Sequence, residues 1–389
     1  MPAKPKIRIG LIGCGGRIRG VAKHLLDSPH GRHLAVTAMF DPHAGAIAET
    51  QSYLGTTAQV YPSLESLLRD SGVDWVMIGS WNSFHVDQAV AALAAGKHVF
   101  CEKPLATSLA DCVRLRAARA AAPDRRFFFG LVLRYTPLYQ RVKALFASGL
   151  LGRVVSFEFN ETIAFNHGGY IHGNWRRDRA KSGTHLLEKC CHDFDLVNWL
   201  LGTLPVRAAS FGGTDVFRPE HRHLADRIGA DAQGHRAYES WPDPLRVDPF
   251  SPGNTVVDNQ VAILEYASGA RATFHTNCNA ALLERRMYFC GSEGTLRVDA
   301  ITGRIEIQRI GFETKPELID VAENSEGHLG GDSRMAAHLA RTMLEDAPPL
   351  ATLEDGVRSA VSCFGVDEAH DTGRVIDLRP MWQQAGIVP

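Results

Sequence analysis

The sequence predicts an α/β fold in two parts. A doubly wound parallel sheet comes first, followed by a large, mostly antiparallel open sheet with helices on one face. Three observations carry this expectation. Short apolar runs alternate with segments of helical period through the first third of the chain. A glycine-rich turn, Gly13-Cys14-Gly15-Gly16, joins the first apolar run to the first helical segment. Beyond residue 150 the rhythm changes, and strands follow one another with few helices between them. Strands covered on both faces by crossover helices read as unbroken apolar runs, whereas successive hairpin strands point to an antiparallel sheet.

Taken in order, Ile7–Ile12, Leu34–Phe40, Trp75–Ile78, His98–Phe100 and Phe127–Leu133 read as strands of the first sheet. Arg17–Leu26, Ala44–Tyr53, Leu64–Leu68, His85–Ala95 and Leu109–Ala122 have the period of the helices between them. The expected first domain is therefore 1–133 and the second 134–389. Val154–Glu161 opens the second set of strands, and one strong helix is expected from Thr184 to Leu201. Asn259–Tyr266 and Ala270–Asn277 are joined by Ala267-Ser268-Gly269, a hairpin signal. Arg285–Cys290, Gly294–Val298 and Arg304–Ile310 extend the sheet. Two helices close the chain, Ser333–Leu344 and Leu353–His370, and they are free to pack back on the first domain. Residues 215–253 are rich in proline, histidine and charge and have little periodicity, so they read as an insertion for specificity or subunit contact, or as a surface loop. Histidines 221, 223 and 235 within it lack the spacing of a metal site.

A chain of 389 residues can build two full cores. The formal net charge of −1 gives no reason to expect nucleic acid or an anionic membrane as partner. No apolar run approaches the ~18 residues that a membrane span requires, and Ile7–Ile12, which contains Arg8, is too short for a signal peptide. The eight cysteines show no Cys-x-x-Cys spacing and mostly sit in apolar runs. They read as reduced, buried thiols of a cytoplasmic protein, and no metal is expected.

The chemistry-bearing residues cluster where strands end. Gly13 permits the tight turn, and Gly15 has no Cβ to block a pyrophosphate. Gly16, Arg17 and Ile18 begin the helix whose amides would face that anion. Ile18 stands where Gly-x-Gly-x-x-Gly has its third glycine; structural glycines alone are the plainer reading. Asp41 follows the second strand, where an acid bonds both adenosine ribose hydroxyls and repels a 2′-phosphate, favouring NAD over NADP. The plainer reading of Asp41 is a helix N-cap ahead of Pro42. Ser80, Asn82 and His85 lie in the loop after the Trp75–Ile78 strand and are expected to touch the cofactor; His85 also suits a capping or packing role. Glu102 and Lys103 end the His98–Phe100 strand, and Pro104 fixes the turn and permits a cis bond before it. An ammonium there can take part in proton transfer to a substrate hydroxyl, or can be half of a solvated Glu–Lys pair. In the Thr184–Leu201 helix, Glu188, His192 and Asp195 share one face by helical counting: a metal face, a catalytic face or a buried polar cluster.

Taken together, these residues make the chain resemble the Gfo/Idh/MocA oxidoreductase family, the group of glucose–fructose oxidoreductase and inositol 2-dehydrogenase. The resemblance is carried by the Gly13/Gly15 turn, Ala95-Gly96-Lys97-His98-Val99-Phe100-Cys101-Glu102-Lys103-Pro104, and Gly149-Leu150-Leu151-Gly152-Arg153-Val154. It continues through Trp175-Arg176-Arg177-Asp178, Cys191-His192-Asp193-Phe194-Asp195, Gly291-Ser292-Glu293-Gly294-Thr295 and His328-Leu329-Gly330-Gly331-Asp332. It implies a Rossmann domain, a second domain whose open sheet mediates homodimers or homotetramers, and a nicotinamide cofactor. It also implies that Lys103 contacts the reacting oxygen and that His192 is the acid/base. Glu188 stands where the family has aspartate, and Ser80-Trp81 where it has Thr-Pro.

The expectation is an NAD(P)-dependent dehydrogenase acting on a secondary alcohol of a cyclic sugar, glycoside or polyol, with Tyr135, Tyr170, His172, Trp175, Arg176 and Glu188 lining the substrate. An alternative keeps the cofactor but makes the redox step transient: C3 oxidation of a glycoside, elimination of the aglycone and re-reduction. A third reading is a cofactor-sensing scaffold without turnover.

Overall fold

A computed structural model describes residues 7–239, 243, 245–321 and 327–389. The chain forms two compact units, Met1–Tyr139 with Asn324–Val357, and Gln140–Glu323 with Arg358–Pro389. The first unit thus runs past residue 133 and recruits a segment from near the C-terminus.

In the first unit the elements are β1 (Ile7–Ile12), α1 (Gly16–Asp27), β2 (Leu34–Phe40), α2 (Ala44–Leu54), β3 (Gln59–Val60), α3 (Leu64–Leu68), β4 (Trp75–Ile78), α4 (His85–Ala94), β5 (His98–Cys101), α5 (Leu109–Ala121) and β6 (Phe127–Phe129). The six strands are parallel in the order β3-β2-β1-β4-β5-β6. That is the doubly wound order of dinucleotide-binding sheets, with its reversal between β1 and β4. All four residues of β4 are buried, as an apolar run covered on both faces should be. The expected strand Phe127–Leu133 stops at Phe129, and Val132–Tyr135 turns into a 3-10 helix. β3 is only two residues long and was not legible as a run.

The second unit contains α6 (Pro137–Ala147, shared with the end of the first), β7 (Val154–Ala164), α7 (Phe165–His172), α8 (Arg179–Ser182), α9 (Cys191–Leu201), β8 (Pro205–Gly213), α10 (His223–Ile228), β9 (Asn259–Tyr266), β10 (Arg271–Ala280), β11 (Arg286–Gly291), β12 (Gly294–Asp299), β13 (Arg304–Arg309) and β14 (Glu317–Asp320). The chain then passes through α11 (Gly331–Glu345), which packs on α1 in the first unit, and α12 (Leu353–Thr372) to β15 (Ile376–Asp377) and α13 (Arg379–Gln384). Nine strands lie in the order β14-β13-β12-β11-β7-β10-β9-β8-β15, antiparallel at every neighbour except β7–β10. Strict alternation in β9 and β10 buries one face and exposes the other. The buried face packs Phe159 and Phe274 against Phe194 of α9, with ring centroids 4.8–5.3 Å apart. The other face is open and carries exposed Phe211, Val261 and Ile263.

Residues 215–253, expected as an irregular insertion, are packed where they are described. Phe217, Tyr238 and Phe250 bury themselves with Ile163, Ile171 and Cys278. Asp258 gathers the backbone amides of Asp215, Val216 and Phe217 at 2.7–3.0 Å, fastening the start of the segment. Two glycines of α7 make the approach possible. A Cβ on Gly168 would stand 1.9 Å from the Cys278 carbonyl oxygen, and one on Gly169 would stand 2.1 Å from that of Tyr238. Sequence periodicity misses this core because its apolar residues are spaced by contacts across the chain rather than by a local repeat.

Among the described residues no helix is long and apolar enough to cross a membrane. The cysteines are free thiols; all are buried except Cys290, which is partly exposed.

Two stability experiments follow from this packing. Phe217→Ala is expected to cost about 3–5 kcal/mol, the usual range for a buried aromatic, and to make 215–253 the first region to exchange amide hydrogens. Urea unfolding with hydrogen exchange measures both. The second concerns Asp367 of α12, whose carboxylate accepts the Thr184 hydroxyl at 2.5 Å. Burial raises this carboxyl to about 7, with Thr184 and Arg179 pulling the other way. The unfolded carboxyl titrates near ~4. Between those values the folded state holds a proton that the unfolded state has released, so this contribution is full at low pH and is lost as pH rises towards 7. Asp367→Asn removes that dependence. Its Tm relative to the parent is expected to rise between pH 4.5 and 7.5, and a difference independent of pH would refute the assignment.

Candidate active site

Gly13 follows β1 at φ +80°, with its amide donating to the Phe40 carbonyl at 2.9 Å. A Cβ here would lie 2.5 Å from the Ser80 nitrogen, so the turn and the loop after β4 meet only because the residue is glycine. Gly15 is the N-cap of α1, supplies no side-chain cap, and has nothing within 4 Å of where its Cβ would be. The amides of the first turn of a 12-residue helix thus end without a protein cap, beside open space. These features fit the pyrophosphate of a dinucleotide. Ile18, standing at the third-glycine position, is buried, and the close approach is made from the other side: a Cβ on Gly79 would fall 2.5 Å from the Ile18 Cβ. The small residue has moved from helix to strand end.

Asp41 accepts the Cys14 amide on one oxygen and the His43 amide on the other, each at 2.7 Å. The N-cap of α2 is His43, so the capping explanation for Asp41 falls away. A carboxylate has about four acceptor sites, and the two amides leave capacity for ribose hydroxyls. The Ser80 hydroxyl donates to Gln88 at 2.6 Å, and Asn82 is buried in a short 3-10 turn. His85, the first residue of α4, is buried against the Ser80 and Pro104 carbonyls.

Lys103 sits half-buried just past β5, on a cis bond to Pro104. Its amide donates to Glu102 Oε2 at 3.2 Å. Glu102 is buried and pairs with Arg17 at 2.8 Å; Arg17 also reaches Asp332 of α11 at 2.6 Å, and Asp332 accepts His328 at 2.8 Å. Burial works against the Arg17 charge, but the two carboxylates outweigh it and raise its pKa. Burial likewise works against ionised Asp332, and the His328 bond and Arg17 hold that carboxyl well below its ordinary range. Asp332 and His328 were visible only within a motif, 315 positions from Arg17 in the case of Asp332, and no local signal assigns them to this cluster.

The second unit holds the remaining predicted residues. The expected continuous helix is broken in type: Leu186–Cys190 is a π turn, and the α-helix proper starts at Cys191. Glu188 lies in the π turn and His192 and Asp195 in the α-helix that follows, so the i, i+4, i+7 count from Glu188 spans a change of helix type. Glu188 bonds Arg176 at 2.9 Å. The Arg176 guanidinium lies 4.7 Å from the Tyr170 ring centre and 4.4 Å from that of Trp175, a cation between two aromatic faces. His192, in the first turn of α9, is buried. Beside it in sequence, Lys189 pairs with Glu161 at 3.3 Å, while Arg285 holds Asp193 through two bonds of 2.8–2.9 Å and Glu161 at 3.1 Å. Burial pushes Glu161 up, but Arg285 and Lys189 bring it down to about 2. Glu161, Cys190 and Asp193 are close enough to group around an ion. Their carboxylates are already matched by two cations, and burial pushes the Cys190 thiol well above its ordinary value, so we assign no metal to them.

Two expected lining residues lie in cores instead. Tyr135 stacks on Phe128 and meets His338 in the first unit, with centroids 5.8 and 5.5 Å away. His172 is fully buried and stacked on Phe217 at 4.3 Å, with Nδ1 2.8 Å from Asn254. Burial lowers its pKa to about 4, so the ring is neutral at pH 7. Aromatic residues near a motif are as well suited to packing as to sugar contact, and spacing does not separate the two.

Known proteins match this architecture along its length. Residues 7–129 match the oxidoreductase family's NAD-binding Rossmann fold, and residues 143–378 match its C-terminal alpha/beta domain. YteT of Bacillus subtilis (strain 168), named only as an oxidoreductase, is 24% identical over 91% of this chain and 94% of its own. Inositol 2-dehydrogenase of Pseudomonas fluorescens (strain SBW25) is 32% identical, but over 50% of this chain, which spans about half (54%) of that relative. Scyllo-inositol dehydrogenase of Lactobacillus casei, solved with NAD(H) and scyllo-inositol, superposes with a TM-score of 0.74 at 18% identity, covering 96% of this chain and 99% of its own. Its likeness is one of fold. The two family matches follow the two sheets in order and together span most of the sequence: the chain belongs to the Gfo/Idh/MocA oxidoreductase family, with an N-terminal fold for a nicotinamide cofactor.

Proposed function

We propose that this protein is an NAD-dependent dehydrogenase that passes hydride between the nicotinamide and a secondary alcohol of a cyclic sugar, glycoside or polyol. The observation that carries this reading is the row of strand ends in the first sheet. The uncapped α1 turn follows β1, Asp41 follows β2, and Lys103 follows β5. The inositol 2-dehydrogenases among the relatives put cyclitols first among candidate substrates.

The cofactor, when bound, supplies the acceptor for the substrate hydride. Gly13, Gly15, Gly16, Arg17 and Ile18 form its phosphate turn, Asp41 its ribose contact, and Ser80, Asn82, Glu102 and Lys103 the adjoining strand ends, while His85, expected from the sequence to touch the cofactor, is buried with both ring nitrogens on main-chain carbonyls. In the oxidation direction Lys103 stabilises the developing alkoxide and His192 accepts the hydroxyl proton. Tyr170, Trp175, Arg176 and Glu188 contact the polyol, the rings covering apolar faces and the ion pair presenting fixed charge to hydroxyls. The exposed Phe211, Val261 and Ile263 support the reading of the open sheet face as the surface for a second copy. The buried free thiols support a reducing compartment.

Lys103→Ala is expected to lower kcat by about 10²- to 10⁴-fold, the range for loss of a positioned acid or base, with NAD⁺ affinity within about threefold of the parent. NADH fluorescence against a panel of inositols, hexoses and glycosides measures turnover, and calorimetry measures affinity; a variant as active as the parent ends the assignment. Asp41→Ser is expected to weaken NAD⁺ binding and to narrow the preference over NADP⁺ by about tenfold or more, since the carboxylate that repels a 2′-phosphate is gone. An unchanged ratio of the two dissociation constants would put cofactor selection elsewhere.

A further inference from the structure

His85 opens α4 and is 1% exposed, and both ring nitrogens face main-chain carbonyls. Nδ1 lies 2.8 Å from the Pro104 oxygen and Nε2 lies 3.1 Å from that of Ser80. Carbonyl oxygens only accept, so the ring donates every bond it makes to them. A neutral imidazole has one N–H, and the shorter contact, to Pro104, is the better claim on it. One side chain therefore spans the loop after β4 and the turn after β5.

Pro104 directly follows Lys103 and has no amide to offer, so the carbonyl is the one polar main-chain group through which residue 104 can be fastened. On the other side of the lysine, Glu102 is fixed by its amide to Ile78 at 3.0 Å, and its carboxylate takes the Lys103 amide at 3.2 Å. The main chain at Lys103 is thus held upstream by Glu102 and downstream by His85. We infer that His85 is a positioning residue for Lys103: by donating from Nδ1 to the Pro104 carbonyl it fixes the direction in which the lysine side chain leaves the turn. This rests on the reading of Lys103 as the group that meets the reacting oxygen.

Two amide substitutions divide the ring's bonds between them. Asparagine puts a donor near the place of Nδ1, and glutamine puts one near the place of Nε2. The full-length protein and each variant are trace-labelled with acetic anhydride, and the acetylation rate of Lys103 is read by mass spectrometry against the other lysines. His85→Asn is expected to label within about twofold of the parent, and His85→Gln to differ from it by at least about fivefold. On whichever polyol the parent oxidises, kcat is expected to fall about 100-fold in His85→Gln, the scale of an ångström's misplacement, and less than tenfold in His85→Asn. NAD⁺ affinity should stay within about threefold in both. The inference is overturned if the two variants behave alike, or if lost turnover follows lost NAD⁺ affinity. It is also overturned if neither variant folds, which would make the imidazole a purely structural group. Lys103→Ala beside them separates the two ideas. Should that variant keep its turnover, the catalytic reading fails, while the labelling arm still reports whether His85 places the lysine.

Discussion

The carboxyl edge of the first sheet is organised around a cation in an unfavourable place. Arg17 is the second residue of α1, where the helix end is already positive, and a guanidinium there adds like charge to like. It is tolerated because Glu102 and Asp332 both bond to it. The consequence reaches beyond one side chain. With its charge met by two carboxylates, Arg17 is not a mobile phosphate clamp, and attraction for an anion at this turn falls to the amides that Gly15 leaves uncapped. The same guanidinium joins three parts of the first unit that are distant in sequence: the first helical turn, the segment bearing Lys103, and the start of α11. Removing one partner of such a part-buried group typically costs several kcal/mol, because the other charges are left without compensation.

Close packing supports the same edge. Gly13 admits Ser80, and Gly79 admits Ile18, so the turn after β1 and the loop after β4 interlock at the place where the strand order reverses. The departure from the third glycine of the phosphate motif is therefore a redistribution of volume: the bulk sits on the helix and the glycine on the strand end. A fingerprint read along the sequence registers this as a missing residue. In three dimensions the steric requirement is met.

What the sequence made legible follows from the range of the forces involved. β1, β2 and β4 have the bounds expected from apolar runs, and the hairpin of β9 and β10 follows from Ala267-Ser268-Gly269, because hydrophobic burial and turn chemistry are local in the chain. The π turn at Leu186–Cys190 was not legible, since one additional residue in a turn leaves the apolar pattern nearly unchanged. Nor were the burial of Tyr135 and His172, or the partners of Arg17 and Arg285. Each depends on a residue far away in the sequence, Asp332 for Arg17 and Asp193 for Arg285. Motifs named the candidates for chemistry; they did not name the partners that fix Arg17 and Arg285 in place.

The second unit treats charge in a consistent way. Arg176 is matched by Glu188, Lys189 by Glu161, and Arg285 by Asp193 and Glu161. On the proposed reading this pairing bears on the substrate. A net cation among Tyr170, Trp175 and Arg176 would favour an acidic sugar, whereas a matched Arg–Glu pair offers hydroxyls both a donor and an acceptor without net field. Fixed pairs of this kind cost little reorganisation as charge develops on a reacting oxygen. The Glu188 side chain, one methylene longer than the aspartate usual in the family, accepts the Arg176 guanidinium and so fixes that arginine between the two rings.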